Sequence, residues 1–320
     1  MKNTIRFFAA ALVIAPSLSW AQELRVFPPP PPVVSPVLGA IDFHVHSAPD
    51  VFGRSVTDIE AATLARRMGL RGIVLKNHVT STADRAAIVR EVVPGIEVFG
   101  GIVLNMAVGG VNPQAVEWMA RMSGRYGKVV WLPTIDADQH LKTFHEPGAG
   151  LKVALDGKVT DDAEAVLKII AREKLVLCTG HVSPQEVLAI TRRAMELGAN
   201  RVVITHAMAE VPNLTMAQMK ELAALGAYIE LDFVNHLMGP EAHLPWMRHW
   251  HRVSIKDMAG AIRELGAEHV LIATDLGQTG NPTHPDGMMI LVQGLKQEGV
   301  SDADLDRMMR KNPARLLGLE

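Results

Sequence analysis

Short runs rich in apolar and β-branched residues alternate along the chain with longer stretches whose apolar positions recur at helical spacing. That alternation is the signature of βα units feeding a parallel sheet. Eight runs read as strands: residues 40–45, 72–76, 97–104, 128–132, 175–179, 201–205, 227–231 and 269–274. A helical pattern follows each of the first seven, among them 58–68, 113–122, 184–197 and 216–224. Gly69, Gly198, Gly226 and Gly266 stand just past four helices, where a left-handed residue ends a helix and turns the chain into the next strand. Eight such units predict an α/β fold, a (β/α)8 TIM barrel. An open doubly wound sheet is the alternative, because strand count alone does not establish closure. Residues 136–160 are too long for a simple βα loop and carry a hairpin signal at Asp156-Gly157. They predict an inserted loop and hairpin after the fourth strand, of the kind that covers the mouth of a barrel.

Composition narrows the partners. The 320 residues are close to half apolar and carry a net charge of −2, with Lys and Arg scattered rather than gathered. A small-molecule substrate is therefore expected, and nucleic acid is not. Lys2 and Arg6 precede an apolar run to Ala15, and Ser19 and Ala21 stand at the −3 and −1 positions of a cleavage site before Gln22. Residues 1–21 thus predict a signal peptide, a secreted, periplasmic product and no stable membrane anchor after cleavage. The prolines from Pro28 to Pro32 favour an extended spacer, so 22–37 reads as a linker and 38–320 as the barrel domain. Cys178 is the single cysteine, which excludes an intrachain disulfide, and its apolar run predicts a buried hydrophobe. Nothing in the composition decides whether the chain forms a homo-oligomer.

The chemistry begins with Asp42-Phe43-His44-Val45-His46 at the end of the first strand. With a side-chain period of two, His44 and His46 point to one side, toward the barrel axis if Phe43 and Val45 face the helices. Imidazoles at that spacing chelate a divalent ion such as zinc, although the motif alone is also compatible with structural histidines. His181, His206 and Asp275 stand at the ends of later strands, and a parallel barrel brings all such ends to one rim. Four imidazoles and one carboxylate suit one zinc-like ion or share out over two.

This set, H-x-H on the first strand, His on the fifth and sixth and Asp on the eighth, resembles the metal pattern of the amidohydrolase superfamily. The ending Asn312-Pro313-Ala314-Arg315-Leu316-Leu317-Gly318 is similar to one frequent there. The segments Asp-Phe-His-Val-His-Ser-Ala-Pro-Asp and Val-Leu-Lys-Asn-His resemble a bacterial branch without an assigned substrate. The resemblance implies a metal-dependent hydrolase holding one or two divalent ions, with zinc the expected metal. Many two-metal members bridge their ions with a carbamylated lysine or a glutamate on the fourth strand, whereas here that strand ends Val130-Trp131-Leu132-Pro133-Thr134. Lys76 closes the second strand, from which a bridge is also seen. It is expected either to be carbamylated and bridge, or to remain an ammonium that binds a substrate carboxylate or pairs with Asp275.

Catalytic roles are expected for Asp275, Lys76 and His78, with Asp275 as ligand or proton acceptor. Asp136, His140 and His145 are candidates in the insertion, and Asn281 and His284 in the last βα loop, with His140, Asn281 and His284 the expected substrate contacts. Glu230 and Asp232 are further candidates for the mouth, Asp232 the better placed at its strand end, and His243, His249 and His251 are expected in packing or surface roles. The expected reaction is attack of metal-activated water on an amide, ester or lactone, and the same apparatus is compatible with phosphoester hydrolysis. The alternatives are a metal-dependent decarboxylase and a non-catalytic periplasmic protein that binds a metal or ligand.

Overall fold

The computed structural model describes residues 35–320. The expected signal peptide, and all but the last residues of the expected linker, lie outside the described residues. Ten strands are present: β1 (Ile41–His46), β2 (Gly72–Lys76), β3 (Glu97–Val103), β4 (Gly127–Trp131), β5 (Ala154–Leu155), β6 (Lys158–Val159), β7 (Val176–Cys178), β8 (Val202–Ile204), β9 (Tyr228–Asp232) and β10 (Val270–Ala273). The helices that cover the barrel and its insertion are α1 (Asp58–Arg67), α2 (Ala83–Val92), α3 (Pro113–Arg121), α4 (Asp138–Thr143), α5 (Asp161–Glu173), α6 (Pro184–Glu196), α7 (Met216–Ala224), α8 (Ile255–Leu265) and α9 (His284–Gln297). Two short helices, α10 (Asp302–Asp306) and α11 (Asn312–Leu317), end the chain. No helix among the described residues is long and apolar enough to cross a membrane.

Eight strands pair in the order β1-β2-β3-β4-β7-β8-β9-β10, parallel at every step. The expected hairpin is the antiparallel pair β5–β6. Helix starts follow from local chemistry: Thr57, Ser183, Thr215 and Ser254 each form a capping box with the residue three positions on, which satisfies amides that the first turn leaves unpaired.

Closure happens between β10 and β1. Asp275 N donates to His44 O and His46 N to Leu276 O, both at 2.9 Å. Beneath them the Asp42 carboxylate accepts from Thr274 N at 3.0 Å and from Thr274 Oγ1 at 2.6 Å. Burial pushes Asp42 up to about 7, against the lowering effect of the Thr274 bonds.

The register along β1 changes the reading of its side chains. Ile41 lies opposite Gly72 and Asp42 opposite Ile73, but Val45 lies opposite Leu75 and His46 opposite Lys76, so β1 carries one extra residue. This bulge resets the inward and outward alternation. Phe43 was expected to face the helices; instead it packs with Ile41, Val74, Phe99, Trp131 and Cys178 inside the barrel. His44, the next residue, also points inward, and Val45 joins the outer core between sheet and helices. Cys178 is buried in the inner cluster, as its apolar run predicts.

The far end of the barrel is stoppered by the chain's last helix. Leu316 and Leu317 join the inner cluster, and Asn312 Nδ2 donates to Ala267 O at 2.9 Å and Val270 O at 2.6 Å, fixing the start of β10. The recurrent-looking ending is therefore a structural plug.

Thr274→Val keeps the shape of the side chain and removes the hydroxyl that reaches Asp42. Left with a poorer partner set, the buried carboxylate should lower unfolding stability by about 1–3 kcal/mol in urea titration; a change under about 0.5 kcal/mol would show that the seam does not depend on this bond.

Candidate metal centre

The C-terminal ends of the strands meet at a cavity of about 820 Å³. The Nε2 atoms of His44 and His46 both approach Asp275 Oδ1, at 3.0 and 3.1 Å. Lys76 Nζ lies 2.9 Å from His44 Nε2. Across the mouth, His206 Nε2 is 3.0 Å from His181 Nε2, and His181 Nδ1 is 2.8 Å from His140 Nδ1. Asp275 and His206 hold left-handed backbone angles, with φ of 49° and 28°. Such angles are uncommon for residues other than glycine and persist where the surroundings enforce them. At β10 the enforcing contact is the bond from Asp275 N across the seam.

The donor set fits a cation. His44, His46 and Asp275 each offer one ligand atom within 4.8 Å of the others, and so do His44, Glu230 and Asp232. Among the described residues, His44 Nδ1, His206 Nδ1, Glu230 Oε1 and both Asp232 oxygens are buried without a hydrogen-bond partner. Orphaned buried polar atoms are rare in folded proteins and call for an ion, a proton or water. Glu230 and Asp232 do not stand at the mouth, as expected, but are fully buried under it, with Glu230 Oε2 3.5 Å from His44 Nδ1.

His78 lines the cavity, its ring stacked 4.8 Å from that of His46 and its Nδ1 2.9 Å from Thr134 Oγ1. Asn105 braces this arrangement by donating to Thr134 Oγ1 at 2.8 Å and to His78 O at 3.1 Å. The other expected contacts divide. His140 and His145 line the cavity from the insertion. Asp136 does not, since its Oδ2 accepts from Met106 N at 2.8 Å. Asn281 and His284 are also displaced from the expected role. Asn281 Nδ2 donates to Gln278 Oε1, and the buried His284 Nε2 faces the carbonyls of His46 and Leu276, each at 2.9 Å. Their loop turns them toward the seam, so His284 supports the end of β1 from behind.

Several lining residues gave no signal in the sequence. Phe144 from the insertion stacks on Trp250 at 4.9 Å, joining the two loops that roof the cavity. Trp246, Met238 and Leu244 extend this apolar wall, and His249, expected in a packing or surface role, belongs to it. His243 and His251 keep to packing roles, bonded to Thr279 O and to Glu210. Arg54, on the loop after β1, also lines the cavity. Its nearness to the H-x-H pair was the one available hint.

A model of the "Phosphotriesterase family" matches residues 149–317, and one described as a "Family of unknown function (DUF6282)" matches residues 39–230. No curated protein gives a significant match. Among solved structures, an organophosphorus hydrolase from Deinococcus radiodurans is similar with a TM-score of 0.59 at 17% identity, over 89% of this chain and 94% of that one. A mutant of a PTE-like lactonase from the same organism gives 0.57 at 16%, over 89% and 97%. A Pseudomonas putida protein bearing the name of a 2-pyrone-4,6-dicarboxylic acid hydrolase gives 0.59 at 16%, over 88% and 98%. At these identities the structural likeness establishes the barrel.

Burial governs the protonation of the site. It lowers His44 to about 3 and His140 and His284 to about 4, and it holds His46, His78, His181 and His206 well below the ordinary 6.5. The imidazoles are therefore neutral, the form that ligates metal. Burial also raises the acids, Glu230 to about 7, and Asp232 and Asp275 upward too. The two groups pull stability in opposite directions. A depressed histidine binds its proton more readily when unfolded, so its contribution is full above 6.5 and lost as pH falls toward the folded value. A raised acid favours the folded state at low pH and loses that contribution as pH rises from its ordinary value toward its folded one, about 7 for Asp42 and Glu230. Seven histidines outweigh Asp42 and these three acids. Urea midpoints of chelator-treated protein should accordingly fall between pH 7 and pH 5. A midpoint that holds or rises at pH 5 would mean the histidines are not the dominant titrating set.

Proposed function

The chain belongs to the phosphotriesterase family and to the family of unknown function DUF6282; it is a metal-dependent hydrolase of the amidohydrolase superfamily, and from that premise we propose a two-ion centre that cleaves an ester or lactone. The observation that carries the proposal is the convergence of His44, His46 and Asp275 about one point, beside the His181–His206 pair, at the mouth of one cavity. His44, His46 and Asp275 would hold the first ion and His181 and His206 the second. Zinc is the proposed metal, because imidazoles with a single carboxylate are its usual company. When bound, the ions supply a Lewis acid for the scissile carbonyl and make water nucleophilic at neutral pH.

The protein's own groups do the rest. Burial lowers Lys76 from its ordinary value, which favours the neutral amine. A neutral amine adds to carbon dioxide with loss of one proton and becomes an anionic carbamate able to bridge two cations. Asp275 directs Oδ1 at the two imidazoles, which leaves Oδ2 to take a proton from the attacking water and return it to the leaving group. His78, held by Thr134, adjoins His46 and faces the cavity, where it would orient the substrate. Phe144, Trp246 and Trp250 offer an apolar wall for the body of the substrate. Export to the periplasm is part of the same proposal, resting on the charged, apolar and small-residue order of residues 1–21.

Elemental analysis should find about two zinc equivalents per chain, falling toward one in Lys76→Ala and partly restored by short carboxylic acids. Less than about a tenth of an equivalent after reconstitution, with no thermal stabilisation by zinc, would remove the metal centre. Asp275→Asn keeps size and removes the charge, so kcat on an ester or lactone should fall by about 10²- to 10⁴-fold while stability moves by only about 1 kcal/mol. Wild-type kcat in that variant would remove Asp275 from the chemistry.

A further inference from the structure

Arg54 is the one guanidinium among the described residues that line the cavity, and its side chain is only 5% exposed. Its Nε donates to Asp50 Oδ2 at 2.7 Å. That carboxylate is itself fixed, because Asp50 Oδ1 accepts from the amides of Val51 at 2.7 Å and Phe52 at 3.3 Å. Arg54 Nη2 lies 3.1 Å from His46 Nδ1, and no bond from Nη1 is seen among the described residues. One edge of the fork is thus anchored and the other meets a candidate metal ligand.

The two contacts of His46 are in conflict once it acts as a ligand. A neutral imidazole has one donor and one acceptor nitrogen. His46 Nε2 faces Asp275, and a ligand uses its lone pair there, which puts the ring proton on Nδ1. Arg54 Nη2 then faces a second donor, and a guanidinium has no acceptor to offer. A small rotation that keeps Nε on Asp50 and moves Nη2 from His46 toward the cavity that Arg54 already lines would relieve this. The Nη groups then stand on the cavity side without an acceptor from the protein, open to an anionic group of a bound molecule.

We propose that Arg54 is the anion anchor of the site, and that the preferred substrate is an ester or lactone bearing a separate carboxylate, gripped by the two Nη groups. A planar carboxylate matches that fork. The apolar wall lies on the other flank of the centre, where Trp250 sits 5.9 Å from the His181 ring and 6.1 Å from the His206 ring. A substrate held at both ends spans the reacting position, with its carboxylate beside β1 and its apolar body beside β7 and β8. The ester or lactone in this statement rests on the hydrolase reading above; the carboxylate rests on Arg54 alone.

The test uses the metal-loaded protein and two ketones that cannot be hydrolysed, 4-acetylbenzoate and 4-nitroacetophenone, which differ only in the carboxylate against a planar nitro group without net charge. Calorimetry should show the wild type preferring the carboxylate by at least about tenfold. Arg54→Gln should bring the preference within about threefold, and Arg54→Lys, which keeps the charge without the fork, should fall between. Metal content is measured in each variant, since the ions also attract a carboxylate. If Arg54→Gln sheds metal, the comparison passes to Arg54→Lys, where an unchanged preference overturns the two-pronged grip. No preference in the wild type, or one that survives in Arg54→Gln, overturns the anchor. Failure of every ester and lactone to turn over, with the carboxylate preference intact, would instead remove the hydrolase reading and leave the anchor standing.

Discussion

Where the sheet closes on itself, the carboxylate of Asp42 takes two hydrogen bonds from Thr274, and the backbones of β1 and β10 join directly above it. The site depends on this seam. It sets Asp275 beside His44 and His46 although more than two hundred residues of chain separate them, and it enforces the left-handed turn that aims the carboxylate at both rings. The bulge in β1 is the second half of the same constraint. Without the extra residue, Phe43 and His44 could not both face the barrel interior, and the first imidazole would be lost to the helix layer.

A cluster of polar groups packed this tightly works against stability. Imidazoles, an amine and several carboxylates are withdrawn from water, and burial is the leading influence on each of their pKa values. The outcome is a set of neutral imidazoles close to carboxyl groups with unspent lone pairs, which a dication can satisfy and the surrounding side chains cannot. The apolar layers below support the cluster, with Trp131, Phe43 and the terminal Leu316 and Leu317 filling the barrel where no polar group is needed.

The cavity walls beyond the strand ends are built by loops. The insertion after β4 and the connection after β9 supply the aromatic roof, joined by the stacked pair Phe144 and Trp250. The loop after β1 supplies the guanidinium of Arg54. A rigid barrel rim carrying the reacting groups, with separate loops carrying recognition, lets one reaction serve different substrates by loop variation.

The strand and helix order, the hairpin insertion and the meeting of His44, His46, His181, His206 and Asp275 at one rim were legible in the sequence. Each rests on a local pattern, either residue periodicity or a chemically distinctive residue at a strand end, and a parallel barrel gathers strand ends at one rim whatever the loops do. Tertiary structure decided the rest. The side that Phe43 faces turned on a register shift visible only against β2. Asn281 and His284 looked like substrate contacts because their loop follows Asp275, but packing turned one to Gln278 and the other to the back of β1. Glu230 and Asp232 proved to lie under the centre, and Arg54 and Trp250 on its walls. Those placements depend on contacts between segments far apart in the chain, and a one-dimensional pattern holds no term for which distant backbone will stand opposite a given side chain.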